Sequence, residues 1–182
     1  LDTKQWEYHK ASPLSNVLSD DHKRWSILPF GDRKLWVASS VGLIEYNLDN
    51  HKSTLLNDFV SHDEHNPNWM IFNIFKGDDE VMWLGGLNGM WKLDPRFQCI
   101  QKLHIDLKEK NITAIYKDSL HQNIYFACKQ KGSFYCYQVP TAKLYEMTCP
   151  SAVDMEYSSK IIPYQRFLWI YSATRLVLFD TR

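Results

Sequence analysis

The feature that most constrains this chain of 182 residues is a hairpin written four times. From Lys34 to Asn47 (Lys34-Leu35-Trp36-Val37-Ala38-Ser39-Ser40-Val41-Gly42-Leu43-Ile44-Glu45-Tyr46-Asn47), β-branched and aromatic residues flank a short polar connection that closes on a glycine. That pattern reads as strand, tight turn, strand. It returns from Met82 to Asp94, from Ile124 to Tyr137 and, more degraded, from Leu168 to Asp180. The aromatic anchors Trp36, Trp83, Tyr125 and Trp169 are 47, 42 and 44 residues apart, which is the period of propeller blades.

The strand inventory follows from this period. In each cycle a strand precedes the hairpin, and in the first three an outer strand follows it, giving repeats at residues 25–57, 69–103, 112–147 and 160–182, with a further strand at residues 4–8 that belongs to a preceding or closing blade. The second strands, such as Leu35-Trp36-Val37-Ala38, are apolar on both faces, as a strand sandwiched between two sheets must be. Small residues after the anchors (Ala38-Ser39, Gly85-Gly86, Ala127, Ser172-Ala173) admit close backbone approach near a crowded axis. The expected fold is all-β, about four blades of four antiparallel strands. Because the chain opens on an outer strand and stops before one, it is read as an arc of a larger ring in preference to a closed four-bladed one.

Composition narrows the function classes. Aromatic residues make up 14% of the chain and hydrophobic ones 45%, which suits packed pleated surfaces, and almost no helix is expected. Twenty-one basic side chains balance 21 acidic ones along the chain, so no phosphate-neutralising stripe exists and nucleic acid is not an expected partner. No stretch has the 18 apolar residues of a membrane span, and no membrane contact is expected within this chain. Cys99, Cys128, Cys136 and Cys149 lack metal or disulfide-scaffold spacing, and Cys128 and Cys136 fall inside strands as small buried hydrophobes.

The repeat consensus, Ile-x-x-Ile-x-x-Asp, a short turn, Leu-Trp-Ile-Gly-Thr-like, then Gly-Leu-x-x-Tyr-Asp-like, is matched best by Asn111-Ile112-Thr113-Ala114-Ile115-Tyr116-Lys117-Asp118-Ser119 with Asn123-Ile124-Tyr125-Phe126-Ala127 after it. Leu35-Trp36-Val37-Ala38-Ser39 and Gly42-Leu43-Ile44-Glu45-Tyr46-Asn47 match its second half. This resembles the two-component regulator propeller repeat, found in the large periplasmic sensor regions of hybrid two-component histidine kinases of Bacteroides-type bacteria. Departures are Tyr125 for the tryptophan, Cys128 and Tyr171 for small or hydroxyl residues, and Thr174-Arg175 in place of the glycine. The resemblance implies that the parent ring is seven-bladed and that the chain is a periplasmic section of an inner-membrane sensor that works as a homodimer, has no cofactor, and recognises a glycan or oligosaccharide.

No Ser-His-Asp set, nucleophile elbow or phosphate loop is recognisable. In the cluster Ser61-His62-Asp63-Glu64-His65-Asn66-Pro67-Asn68-Trp69, two histidines with carboxylates between them suit a divalent ion, yet polar residues in a connection are more simply solvated, and no metal is assigned. Asn111-Ile112-Thr113 is a glycosylation sequon of the kind that matters in a eukaryotic secreted protein. Binding is the better candidate. One propeller face gathers the outer-to-inner connections and the turns inside each second hairpin, and here it carries Arg24, Trp25, His62, Asp63, His65, Asn68, Trp69, Asn88, Lys129 and Lys131 as expected ligand-binding residues. Trp25 and Trp69 begin inner strands, where an aromatic plane beside polar forks suits a sugar. The rival readings are an interaction propeller that dimerises through its aromatics, and a propeller lyase or hydrolase with a metal at His62 and His65.

Overall fold

In the computed structural model, the described residues are 24–56, 70–77, 79–96, 99–107, 110–129, 133–148, 160–171 and 176–181. They form four antiparallel sheets with no helix among them. The first sheet is β1 (Arg24–Phe30), β2 (Lys34–Ser39), β3 (Gly42–Asn47) and β4 (Ser53–Leu55). The second is β5 (Ile71–Lys76), β6 (Met82–Gly86), β7 (Gly89–Asp94) and β8 (Cys99–Leu103). The third is β9 (Ile112–Asp118), β10 (Asn123–Cys128), β11 (Ser133–Gln138) and β12 (Lys143–Thr148), and the fourth is β13 (Lys160–Tyr164), β14 (Phe167–Tyr171) and β15 (Leu176–Asp180). Each sheet is a simple meander, in chain order from inner to outer strand. The hairpins fall where the repeat places them, and the strand expected at residues 4–8 lies outside the described residues.

Successive sheets stack through their inner strands, β1 on β5, β5 on β9 and β9 on β13. The four blades thus form an arc of a β-propeller. No helix among the described residues is long and apolar enough to cross a membrane.

Alternation along the second and third strands builds each seam, because successive side chains point to opposite faces. Trp36, Ala38 and Leu43 face forward from the first blade to meet Ile71, Ile74, Met82, Leu84, Trp91 and Leu93 of the second. Val81, Trp83 and Met90 face forward from the second blade to meet Ile112, Ile115, Ile124, Phe126 and Tyr135 of the third. Tyr125, Ala127, Phe134 and Cys136 then meet Ile161, Leu168 and Ile170 of the fourth. The anchors Trp36, Trp83 and Tyr125 occupy the same place in three successive seams and are all at most 4% exposed. Burying one such ring contributes roughly 2–3 kcal/mol.

Polar groups at the seams are matched by the residue opposite the anchor. Trp36 pairs across the ladder with Glu45, whose carboxylate accepts the indole N–H at 3.1 Å and a bond from Lys34 Nζ at 2.8 Å. Trp83 pairs instead with Lys92, which has no acceptor to offer, and its indole N–H is buried without a partner.

Gly85 holds the second and third blades at close range, and Gly86 lets the start of its own blade's inner strand close on β6. A Cβ on Gly85 would stand 2.7 Å from Ile112 Cγ2, and one on Gly86 would stand 2.1 Å from the Met70 carbonyl oxygen. Cys128 and Cys136 are buried, and they face opposite seams of the third blade.

Candidate functional site

A four-stranded meander sends its first and third turns to one end of the blade and its second turn to the other. Backbone hydrogen bonds fix which segments share an end. Leu48 donates to Arg33, Val139 to Gln122 and Thr181 to Arg166, tying turns together at one end, whereas Leu87 donates to Met70 at 3.0 Å and Lys129 to Asn111 at 2.9 Å at the other. This second end carries the turns after β2 and β6, the end of β10 and the starts of β5 and β9.

The inner strands are distorted at the same end. Partners skip from Arg24 to Ser26 opposite Ser39 and Ala38, from Ile71 to Asn73 opposite Gly86 and Gly85, and from Ile112 to Ala114 opposite Cys128 and Ala127. Trp25, Phe72 and Thr113 are therefore the extra residues of three β-bulges at equivalent positions. A bulge turns its side chain out of the ladder's alternation, a device common beside binding sites. Thr113 Oγ1 donates to the Ala127 carbonyl at 3.4 Å, so the third of these points back along its own blade.

A cleft of about 110 Å³ opens at this end between the β6–β7 turn and the connection from β8 to β9. Met90, Leu103, Ile105 and Leu107 supply its apolar lining, and Leu107 and Met90 are themselves part of the seam between the second and third blades. Asn88, Lys102, His104 and Lys110 supply the polar groups. Asn88 and Lys102 are half-buried, while His104 and Lys110 are exposed. Gly89 begins β7 at φ 124°, a conformation that side chains with a Cβ rarely adopt, and this lets the turn close tightly at the mouth. Among the described lining residues there is no carboxylate and no Phe, Tyr or Trp ring.

The expected site residues divide accordingly. Asn88 lies in the cleft. Lys129 is exposed just after β10, on the same end, with its backbone joined to Asn111 beside Lys110. The backbone of Arg24 and Trp25 begins β1 at this end, opposite Ser39. His62, Asp63, His65, Asn68, Trp69 and Lys131 lie outside the described residues. The second inner strand begins at Ile71, so the position equivalent to Trp25 is Phe72 and not Trp69.

Lys102, His104 and Lys110 were missed. Lys102 alternates in an outer strand and the other two sit in a connection, which reads as solvated polar residues; their one signal was basic residues interleaved with Ile105 and Leu107 in a short connection. Among the described residues no group of three His, Cys, Asp or Glu side chains is placed to hold a metal ion.

No family model matches the sequence, and no curated protein matches it. Solved structures do match the fold. The extracellular domain of a hybrid two-component system from Bacteroides thetaiotaomicron superposes with a TM-score of 0.68 at 14% identity, covering 87% of this chain and 22% of that one. An auxiliary nutrient binding protein from the same organism gives 0.62 at 13% identity, covering 86% of this chain and 37% of that one. A catalytically inactive virginiamycin B lyase from Staphylococcus aureus, in complex with quinupristin, gives 0.63 at 15% identity, covering 90% of this chain and 57% of that one. The chain spans 22% to 27% of the length of three extracellular domains of one-component and hybrid two-component systems. At these identities the likeness is one of fold, and the fold is a propeller.

Proposed function

We propose that the chain is a non-catalytic, ligand-binding section of an extracytoplasmic sensor of a hybrid two-component system, with a glycan or oligosaccharide as its ligand and a histidine kinase as its output. The observation that carries this reading is the cleft at the seam of the second and third blades, half apolar and half polar, on the same end as the bulged inner strands. A sugar offers an apolar C–H face and a rim of hydroxyls, which a few aliphatic groups beside amide and ammonium donors can match. Its likeness in fold to extracellular domains of two-component systems and to a nutrient binding protein supports the same assignment. The parent sensor would be a periplasmic homodimer in which ligand shifts the propeller against its neighbours and so biases the kinase between two states.

Thermal melting of this chain against a panel of plant and host oligosaccharides tests the reading, since a ligand that binds the folded state alone raises the midpoint. A saturable rise with one saccharide, with the ligand recovered chemically unchanged, is expected. Turnover of the saccharide would establish an enzyme instead.

One observation favours a second reading, a propeller that binds protein. The far face of the fourth blade exposes Ile162, Tyr164, Leu176 and Leu178, at 43%, 60%, 64% and 48%. Ile162 and Leu178 flank Trp169, the anchor whose equivalents are covered in the other three blades. Light scattering separates the readings: a concentration-dependent dimer dispersed by Leu178→Lys supports the interaction surface.

A further inference from the structure

We infer that the cleft lined by Asn88, Lys102, His104 and Lys110 holds an anionic substituent, a carboxylate or a sulfate, of the saccharide. The inference rests on the glycan-sensor reading and names the ligand class at that site.

The argument is one of local charge against global charge. The chain as a whole is neutral, with 21 basic and 21 acidic side chains, so a surface feature of this size has no bias toward either sign. The described lining of the cleft nonetheless contains Lys102, Lys110 and His104 and no carboxylate. These groups come from two segments that close on the cleft, the end of β8 and the connection leading to β9. Lys129 extends the basic strip across the seam, because its backbone N–H is bonded to the carbonyl of Asn111, next to Lys110. Asp106 belongs to the same connection, is exposed and does not line the cleft.

Geometry makes the charge usable. Lys102 is half-buried beside the aliphatic groups of Leu103, Ile105 and Leu107, so part of its field acts through low-dielectric surroundings and is less screened than that of a surface lysine. His104 offers a ring N–H in either protonation state, and Asn88 offers an amide that donates to one oxygen while accepting from a hydroxyl. An acid group seated on Lys102 and Lys110, with its sugar ring over the aliphatic lining, sets charge against charge and apolar surface against apolar surface. A neutral saccharide would have to seat hydroxyls on two or three ammonium and imidazole groups and would gain less from each, since charge-assisted bonds are about twice as strong as neutral ones.

Calorimetric titration of the full chain with three trisaccharides of one size, trigalacturonate, a sulfated galactotriose and galactotriose itself, tests the inference and separates its two chemical sources. At least one charged trisaccharide is expected to bind more than tenfold tighter than galactotriose, with affinity falling as salt is raised. The carboxylate arm and the sulfate arm tell which substituent the cleft prefers. Lys110→Ser and Lys102→Gln, whose exposed or half-exposed positions leave the core intact, are each expected to weaken the charged ligand about fivefold, from the loss of one unit-charge contact near a protein surface. Melting curves of the variants confirm that they fold.

Equal binding of all three sugars, or binding of the charged ones unaffected by both lysine variants, overturns the inference and leaves the glycan-sensor reading standing. So does binding of neither charged trisaccharide at millimolar concentration while a neutral glycan raises the melting temperature. If no saccharide of any charge binds, both readings fall.

Discussion

The ammonium of Lys117 stands 2.7 Å from Asp79 Oδ2 and 5.7 Å from the centre of the Trp83 ring, so one cation fastens the inner strand of the third blade to both the first turn and the anchor of the second. The lysine side chain is 3% exposed and the carboxylate 49%. A buried charge held by a half-exposed partner is an asymmetric pair. Losing the aspartate strands the lysine, whereas losing the lysine returns the aspartate to water.

Asp79→Ala is therefore expected to lower unfolding stability by about 2 kcal/mol, and adding Lys117→Met to recover most of it, because the apolar replacement removes the stranded charge. Urea titration of the wild type, Asp79→Ala and the double variant measures both. The pH dependence follows from the carboxyl group. Partial burial pushes its pKa up, but the hydrogen bond and charge of Lys117 and the N–H of Val81 outweigh that and leave it below the ordinary 3.8. A folded-state value below the unfolded one gives stability that is complete above the ordinary carboxylate range and drains away as pH falls through the lowered value. The gap between wild type and Asp79→Asn should close below about pH 4.

Lys92→Glu is expected to stabilise the second blade by about 1 kcal/mol, by giving the buried Trp83 N–H the acceptor that Glu45 gives Trp36. A thermal melt and the near-ultraviolet tryptophan signal check it. No gain would mean that the indole reaches water by local breathing.

Backbone geometry makes a pair of opposite predictions. Gly86→Ala drives a methyl group into the Met70 carbonyl and is expected to cost about 3 kcal/mol, as overpacking against backbone does. Ala142 has φ 53° in the turn before β12, so Ala142→Gly should relieve strain and stabilise by about 0.5 kcal/mol. Both are read from denaturation midpoints.

The same geometry explains what could be read in advance. Trp36, Trp83 and Tyr125 mark the seams because only a two-faced apolar strand tolerates a large ring so regularly spaced, and the hairpins around them were legible to within a residue or two. The Gly85-Gly86 approach was legible for the same reason, since glycine after an anchor has little other use there. The bulges at Trp25, Phe72 and Thr113 were not. A bulge is a mismatch between two strands, and nothing in one strand's residues declares it. The cleft escaped notice because its cations stand 14 or more positions after Asn88 in the sequence and meet it only when β7 and β8 double back. An expectation built on Trp25 and Trp69 as aromatic platforms looked for rings, whereas the described cleft lining is aliphatic and cationic.

Burial pushes the Cys136 thiol above its ordinary value and outweighs the hydrogen bond from Tyr125. Since the thiolate is the reactive form, Cys136 is expected to alkylate at least tenfold more slowly than a free thiol at pH 8, and to match it once the chain is unfolded in urea. Peptide mass mapping after timed iodoacetamide treatment gives the rate. Fast labelling in the native chain would mean that the seam between the third and fourth blades opens readily.

The central claim is that ligand is bound at the end of the arc where the β6–β7 turn, the β8–β9 connection and the end of β10 converge. Amide hydrogen exchange with and without a saccharide that raises the melting temperature tests it most directly. Protection confined to residues 87–90, 102–111 and 129 is the predicted result. Protection at the opposite end, in the turns at residues 31–33, 79–81, 119–122 and 165–166, with none around Asn88 and Lys110, would contradict it.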